Sequence, residues 1–285
     1  MINRILVPVR DDGNAELVMR HAISLAQGMS AHIVVTHCRL RPVDMLPFGV
    51  PMSREMKKQI MEQSTSVMNM AEGEMRDLFA KICDDTSVTV SDDTKATNVT
   101  AKFIEAEGRQ VDVVRRYGML SDIIVVAKPE IDRNLGANTL KTALFHTGRP
   151  VFMCGSEMPA KGNHFLNKVA LCWDGSLEST RALSQTLWFM KSAKHLTILT
   201  VETGKVVIAP SELKTYLAEH DVNSDFVMVK PSKSIGASLR EVSESLEAEV
   251  TILGAYGNNQ YFERVLGGVT QHFVDHASRP LVLVH

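Results

Sequence analysis

The chain has few cysteines, and their spacing excludes most of what cysteines are used for. Cys38, Cys83, Cys154 and Cys172 are scattered over 285 residues with no CxxC pair. Neither a disulfide framework nor a structural zinc site is therefore supported, and the thiols read as reduced, packed small hydrophobes. Charge of one sign is also missing. A formal net charge of −2 offers no bulk attraction to nucleic acid or to an anionic membrane, so neither is an expected partner. No apolar run is long enough to be read as a membrane span. The first residues, MINRILVPV, enter a strand pattern directly, without the basic stretch, apolar segment and small-residue cleavage site of a secretory leader. A soluble, cytoplasmic protein is the expectation. Two nucleotide fingerprints are absent as well. No GxGxxG follows the first strand of either half with an acid at the next strand end, and no GxxxxGK[ST] occurs, which argues against a dinucleotide dehydrogenase and a P-loop NTPase.

What is present is regular. With 45% hydrophobic and 22% charged residues, the chain can bury one large or two ordinary cores. Ile5–Val9, Ile33–Cys38, Ile123–Ala127 and Val151–Cys154 are short apolar runs separated by segments suited to crossover helices. Val169–Trp173, Leu196–Val201, Phe226–Val229, Val250–Gly254 and Leu281–Val284 repeat the pattern. Unalternated Val/Ile/Leu runs fit strands covered on both faces, so the fold class is α/β with parallel sheets. Gly, Pro and polar residues in Gly155–Phe165 mark a linker, dividing the chain into domains 1–154 and 168–285. Arg149–Pro150 and Arg279–Pro280 each open a final strand, which supports internal duplication.

The segment Thr251–His285 carries the densest chemistry. Gly254 and Gly257 close one apolar run; Gly267 and Gly268, followed by Val269 and Thr270, open a helix-like stretch. Glycines let backbone N–H groups approach an anion, and a helix N-terminus adds unpaired donors and a positive dipole end. Gly254, Gly257 and Gly267, with two and nine residues between them, resemble the nucleotide-binding signature of the universal stress protein family. Where ATP-binding members carry Ser or Thr, this chain has Gly268, which leaves a backbone donor and the Thr270 hydroxyl two residues on. The resemblance covers essentially the whole chain as tandem domains, each implied to be an open, Rossmann-like parallel-sheet sandwich of the adenine nucleotide alpha hydrolase-like type.

The same resemblance implies an adenine nucleotide, ATP or a relative, in the second domain. Asp174, in Asp174–Gly175–Ser176 after a strand, aligns with the family acid at the adenosine end, and Val201 with the position whose backbone meets the base. By chemistry alone Asp174 could instead be a helix N-cap or a turn former. Mg²⁺ would accompany ATP, although no carboxylate cluster identifies ligands for it. The glycine cradle holds no lysine for β- and γ-phosphates and no recognisable base, so a dedicated fast ATPase is not expected. The family implies stress response or regulation through a protein partner, with homodimers common. A scaffold that no longer binds nucleotide and a low-turnover nucleotide hydrolase are the alternatives.

The first half departs from this pattern. Lys128-Pro129-Glu130-Ile131-Asp132-Arg133-Asn134 stands where spaced glycines would. Proline lacks the N–H a phosphate needs, and Glu130 and Asp132 oppose an anion. Arg10 takes the place of Asp174. The first domain is accordingly expected to be a degenerate copy. The excursion Arg39–Lys81, rich in methionine, reads as a long crossover helix or as an adaptable contact surface. His32, His37 and Cys38 lack a completing ligand set, and His272 and His276 lack an HExxH acid, so packing or surface roles are expected for all five.

Overall fold

Runs of Val, Ile and Leu without alternation need a sheet covered on both faces, and the computed structural model supplies one. It describes residues 2–39, 41, 43, 46, 51–94, 98–130, 132–133, 135–201, 208–231, 234–255 and 268–285. The first elements in chain order are β1 (Arg4–Val9), α1 (Ala15–Gln27), β2 (His32–Arg39), α2 (Arg54–Asp85), β3 (Thr89–Val90), β4 (Thr100–Glu107), α3 (Gln110–Gly118), β5 (Ile123–Val126), α4 (Ala137–His146) and β6 (Val151–Met153). There follow β7 (Lys168–Cys172), α5 (Leu177–Gln185), α6 (Leu187–Ser192), β8 (His195–Val201), α7 (Pro210–Glu219), β9 (Asp225–Val229), α8 (Ile235–Ser245), β10 (Val250–Gly254), α9 (Gly268–His276) and β11 (Leu281–Val284). Every apolar run read as a strand is one, with ends shifted by no more than one residue.

The described strands form a single sheet in the order β3-β4-β2-β1-β5-β6-β11-β10-β7-β8-β9. This corrects the expectation of two tandem sheets. Two parallel blocks are present, but β6 pairs antiparallel with β11, Phe152 opposite Val282, and fuses them edge to edge. The sheet is therefore mixed, with its antiparallel step at the seam. Two strands lay outside the sequence reading. β3 has only two residues, and Lys102 and Glu105 break the apolar run of β4.

Alternate residues of each strand face two cores. Ile5, Val7 and Val9 of β1 join a core with α1, α2, α5, α6 and α7, whereas Leu6 joins one with α3, α4, α8 and α9. Side chains of successive strand residues point to opposite faces, so one strand serves both layers.

Matching contacts recur in the two blocks. Asp122 Oδ2 accepts from the amides of Asn3 and Arg4 at 2.8 and 2.9 Å, and Glu249 takes the amide and side-chain N–H groups of Asn167 at 2.9 Å each. Each acid stands immediately before the central strand that follows it, β5 or β10, and pins the start of the neighbouring strand, β1 or β7. Arg149 donates to the Met119 carbonyl at 3.0 Å and Arg279 to the Ala248 carbonyl at 2.9 Å. The carbonyls of Pro150 and Pro280 accept from the amides of Ile124 and Thr251. The repeated Arg–Pro pair thus has a repeated mechanical role.

Gly155–Phe165 carries no helix or strand, as a linker should, but it is fastened down. The Ser156 amide donates to the Ser278 carbonyl at 2.9 Å, and His164 Nδ1 contacts the Ser24 carbonyl at 3.1 Å. Phe165 is buried and adopts φ 60°, with its amide held by Asn163 Oδ1 at 2.8 Å. Its ring stacks on His21, 5.4 Å between centroids, and tilts against Phe152 at 5.3 Å.

His21 therefore sits inside apolar packing. Burial pushes its imidazole below the ordinary value of 6.5, with the Leu17 carbonyl pulling weakly the other way. The folded state then binds fewer protons than the unfolded one, so this contribution is intact above pH 6.5 and is lost as pH falls below it. One such group bends the stability curve by at most about 1.4 kcal/mol per pH unit. His21→Phe keeps the stack and removes the proton. Its unfolding midpoint should fall less between pH 7 and pH 5 than that of the wild type by scanning calorimetry; parallel slopes would refute the assignment.

The methionine-rich excursion becomes α2, whose Ser53 cap accepts from the Met56 amide at 3.1 Å. Its buried residues, Met75, Phe79, Ile82 and Cys83, all lie in the last third. Met56, Val67 and Met70 are 53%, 66% and 65% exposed. The helix packs on the sheet at one end and presents apolar side chains to solvent at the other.

Candidate functional site

In an open α/β sheet the ligand crevice lies beyond the carboxyl ends of the strands, where successive connections leave in opposite directions. In the second block β7 is that place: the chain passes through β8 and β9 on one side and returns to β10 on the other. Asp174, Val201 and Gly254 occur at the carboxyl ends of three adjacent strands, β7, β8 and β10. Crossover geometry brings the N-terminus of α9, with Gly268, Val269 and Thr270, to the same end of the sheet. Six of the eight sequence-selected residues thus stand at one end of the sheet. Gly257 and Gly267 lie outside the described residues.

Local chemistry explains how each is held. Asp174 is exposed and its Oδ1 accepts from the Ser176 amide at 3.0 Å, so its carboxylate builds the turn that Gly175 makes with φ 75°. Ser176 caps α5, accepting from the Ser179 amide at 3.1 Å. The N-cap reading thus belongs to Ser176, while Asp174 retains its second carboxylate oxygen at the strand end. The Trp173 carbonyl accepts from Thr200 Oγ1 at 2.7 Å, fixing β7 against β8. Val201 ends β8, half-buried, paired with Val229.

Gly254 has a steric reason of its own. A Cβ there would stand 2.5 Å from the carbonyl carbon of Glu178 and 2.6 Å from the Ser179 nitrogen. The end of β10 therefore lies directly on the first turn of α5. A Cβ at Gly268, by contrast, would meet nothing within 4 Å among the described residues. Thr270 is buried behind it. Among the described residues no group of three or more His, Cys, Asp or Glu side chains could hold a metal ion.

The equivalent place in the first block is closed. A cavity of about 20 Å³ lies beyond β1 and β5, lined by Arg10, Asp12, Asn14, Val126, Gly136, Thr139 and neighbouring apolar residues. Glu130 pairs with Leu135 through two backbone hydrogen bonds of 3.0 and 3.1 Å. Its carboxylate is held by Asn14 Nδ2 at 2.5 Å and by the Arg133 guanidinium at 3.1 Å. Gly136 adopts φ 79° as the N-cap of α4 and approaches Pro129 closely. The sequence reading missed Gly136 and Thr139. The signal was there: Leu135-Gly136-Ala137-Asn138-Thr139 repeats Leu266-Gly267-Gly268-Val269-Thr270 at the opposite helix start.

The remaining candidates are absorbed by packing. His32 Nδ1 meets Thr100 Oγ1 at 2.7 Å. His37 lies between Glu105 and Asp11 at 3.0 and 3.2 Å, and burial pushes Glu105 above the usual carboxylate range against the pull of His37. Cys38 donates to the Gly108 carbonyl at 2.8 Å. Burial pushes Cys38 and Cys83 up to about 11 and raises Cys154 and Cys172 further, so none is a thiolate nucleophile at neutral pH. His272 stacks on His276 at 4.4 Å and accepts from Arg240 Nε at 3.3 Å, a helix-surface arrangement.

No protein-family model and no curated protein matches the chain. Solved structures do. A universal stress protein from Archaeoglobus fulgidus aligns with a TM-score of 0.70 at 14% identity, covering 100% of this chain and 98% of that one. A functionally unknown protein from Pseudomonas aeruginosa aligns at 0.56 and 12% identity, covering 99% and 92%. The cytoplasmic domain of a prokaryotic cation chloride cotransporter aligns at 0.53 and 14% identity, covering 98% and 94%. At these identities the likeness is one of fold: this chain has the α/β fold of universal stress proteins over its whole length.

Proposed function

We propose that the chain is a tandem universal stress protein, with domains 1–154 and 168–285, that binds an adenine nucleotide noncovalently in the second. The observation that supports this reading is the position of Asp174, Val201 and Gly254 at the carboxyl ends of three adjacent strands, the end of the sheet at which α9 starts. Gly254 and Gly257 shape the phosphate turn, Gly267, Gly268, Val269 and Thr270 line the helix end, and Asp174 selects the adenosine end. Mg²⁺ accompanies ATP through the phosphates. Bound and empty states then differ in affinity for a regulatory protein partner. Bond making is not its role beyond slow hydrolysis, and the cytoplasm is its place of action.

Binding is tested by titrating the full chain with ATP, ADP and AMP, with and without Mg²⁺. Wild type binds at least one of them; Asp174→Ala weakens it about tenfold, roughly 1.4 kcal/mol, and Gly257→Glu abolishes it. A folded wild type that ignores all three at millimolar concentration sinks the proposal.

A second reading, an interaction scaffold without nucleotide, draws on the exposed Met56, Val67 and Met70 of α2 and on the closed first-block cavity.

A further inference from the structure

α2 is 32 residues long, about 48 Å at a rise of about 1.5 Å per residue, yet its buried side chains begin only at Met75. Ties to the rest of the fold gather in the same part of the helix. Glu72 meets Arg39 at 3.2 Å, Arg76 lies over the Phe103 ring at 4.9 Å, and Asp85 meets Arg20 at 2.9 Å. Helices owe most of their stability to the packing of an apolar face. The first two-thirds of α2 carry such a face without burying it.

That face is Met56, Ile60, Gln63, Val67 and Met70, spaced four, three, four and three residues apart, the repeat of a coiled-coil seam. Met56, Val67 and Met70 are each more than half exposed. At about 100° per residue, the strip points roughly a third of a turn away from Met75 and Phe79, so it is separate from the face that enters the core. Gln63 interrupts it at the centre, a single polar position of the kind that fixes register at some cost in stability.

The flanks decide what fits the strip. Ser64, Ser66, Ala71 and Gly73 border it, small residues that let a second helix approach closely. Arg54, Lys57 and Lys58 surround its start, with Glu55 and Glu62 offsetting part of their charge; Glu72, Glu74 and Asp77 follow its end, offset in part by Arg76. The excess is therefore positive at one end and negative at the other. A second copy laid antiparallel brings each end against its opposite, whereas a parallel copy sets like against like. The acidic end also opposes an anionic lipid surface.

We propose that α2 is a self-association surface, on which two copies of the chain pair antiparallel through Met56, Ile60, Val67 and Met70. A strip about 21 Å long on a helix about 10 Å across is at the small end of specific interfaces, so the dimer is reversible. It uses no residue of the second-block crevice and does not depend on nucleotide binding there.

The test is sedimentation equilibrium of the full chain from micromolar to millimolar concentration, where a monomer–dimer equilibrium is expected. Val67→Glu and Met70→Glu should each weaken it at least about tenfold, because each buries an unpaired carboxylate in the seam. Both positions are exposed in the single chain, so circular dichroism should match wild type; should one variant misfold, the other carries the test. Direction is read separately. A short bismaleimide should join Met56→Cys to Met70→Cys chains when the two are mixed, more readily than it joins either to itself, with wild type as the control for the native thiols. A chain that stays monomeric throughout, a dimer that both glutamate variants leave intact, or preferential self-linking of Met56→Cys overturns the proposal. Cosedimentation of a monomeric chain with anionic phosphatidylserine vesicles would identify lipid as the occupant and overturn it equally.

Discussion

Gly254→Val is expected to lower the unfolding midpoint and, if the proposed nucleotide site is correct, to abolish binding with it. The obstacle to its side chain is backbone, 2.5 Å from Glu178 and 2.6 Å from Ser179, and backbone cannot rotate aside as a long side chain can. Overpacking of this kind costs about 1–3 kcal/mol, and a rigid obstacle places the change near the upper end. At roughly 2–4 °C per kcal/mol for a chain of this class, the shift is readily seen by calorimetry. The displaced turn is the one that Asp174 and Ser176 build, so ligand affinity falls with it. Gly268→Ala provides the contrast: a Cβ there meets no described residue within 4 Å, and alanine in a helix is worth up to about 1 kcal/mol over glycine. A Gly254→Val protein as stable as wild type would show that β10 does not rest on α5.

Phe152→Ala is expected to have the largest effect on stability away from the site. Phe152 is fully buried at the seam, opposite Val282 of β11 and against the Phe165 ring at 5.3 Å. Truncating a core phenylalanine costs about 3–5 kcal/mol, a large part of the 5–15 kcal/mol typical of a folded protein. Because the core that contains it runs from α1 through Phe165 to α5 and α6, amide exchange should accelerate in both blocks at once. Acceleration confined to residues before Gly155 would mean that the blocks are mechanically independent. Phe152→Leu, which conserves most of the volume, should cost less than about 1.5 kcal/mol.

Parallel strands are legible because burial on both faces removes the need for polar residues, so Ile5–Val9 or Leu281–Val284 announces itself without context. β4 does not, since Lys102 and Glu105 answer to a particular neighbour: Glu105 sits in register with His37 across β2 and is chosen for that partner. The seam was equally hidden. Val151–Met153 and Leu281–Leu283 look like ordinary core strands, and nothing local distinguishes a strand paired on one side from one paired on both. At the proposed site, the glycine pattern singled out Gly254, but it did not reveal that this residue is required by its packing on α5. The first-block counterpart was obscured because Glu130 and Pro129 dominate the reading, while the repeated Leu-Gly-x-x-Thr that aligns the two helix starts is spread thinly over five positions.

The antiparallel seam also bears on how such a chain can diverge. When two identical copies meet across a twofold axis, each contact of one residue with another is made twice, and so is any substitution. Here Val151, Phe152 and Met153 face Leu283, Val282 and Leu281, unlike residues encoded separately. Covalent linkage has released each side from matching the other. One block could carry Pro129 and Glu130 after its strand β5 while the other carries glycines after β10, an asymmetry that no pair of identical subunits can inherit.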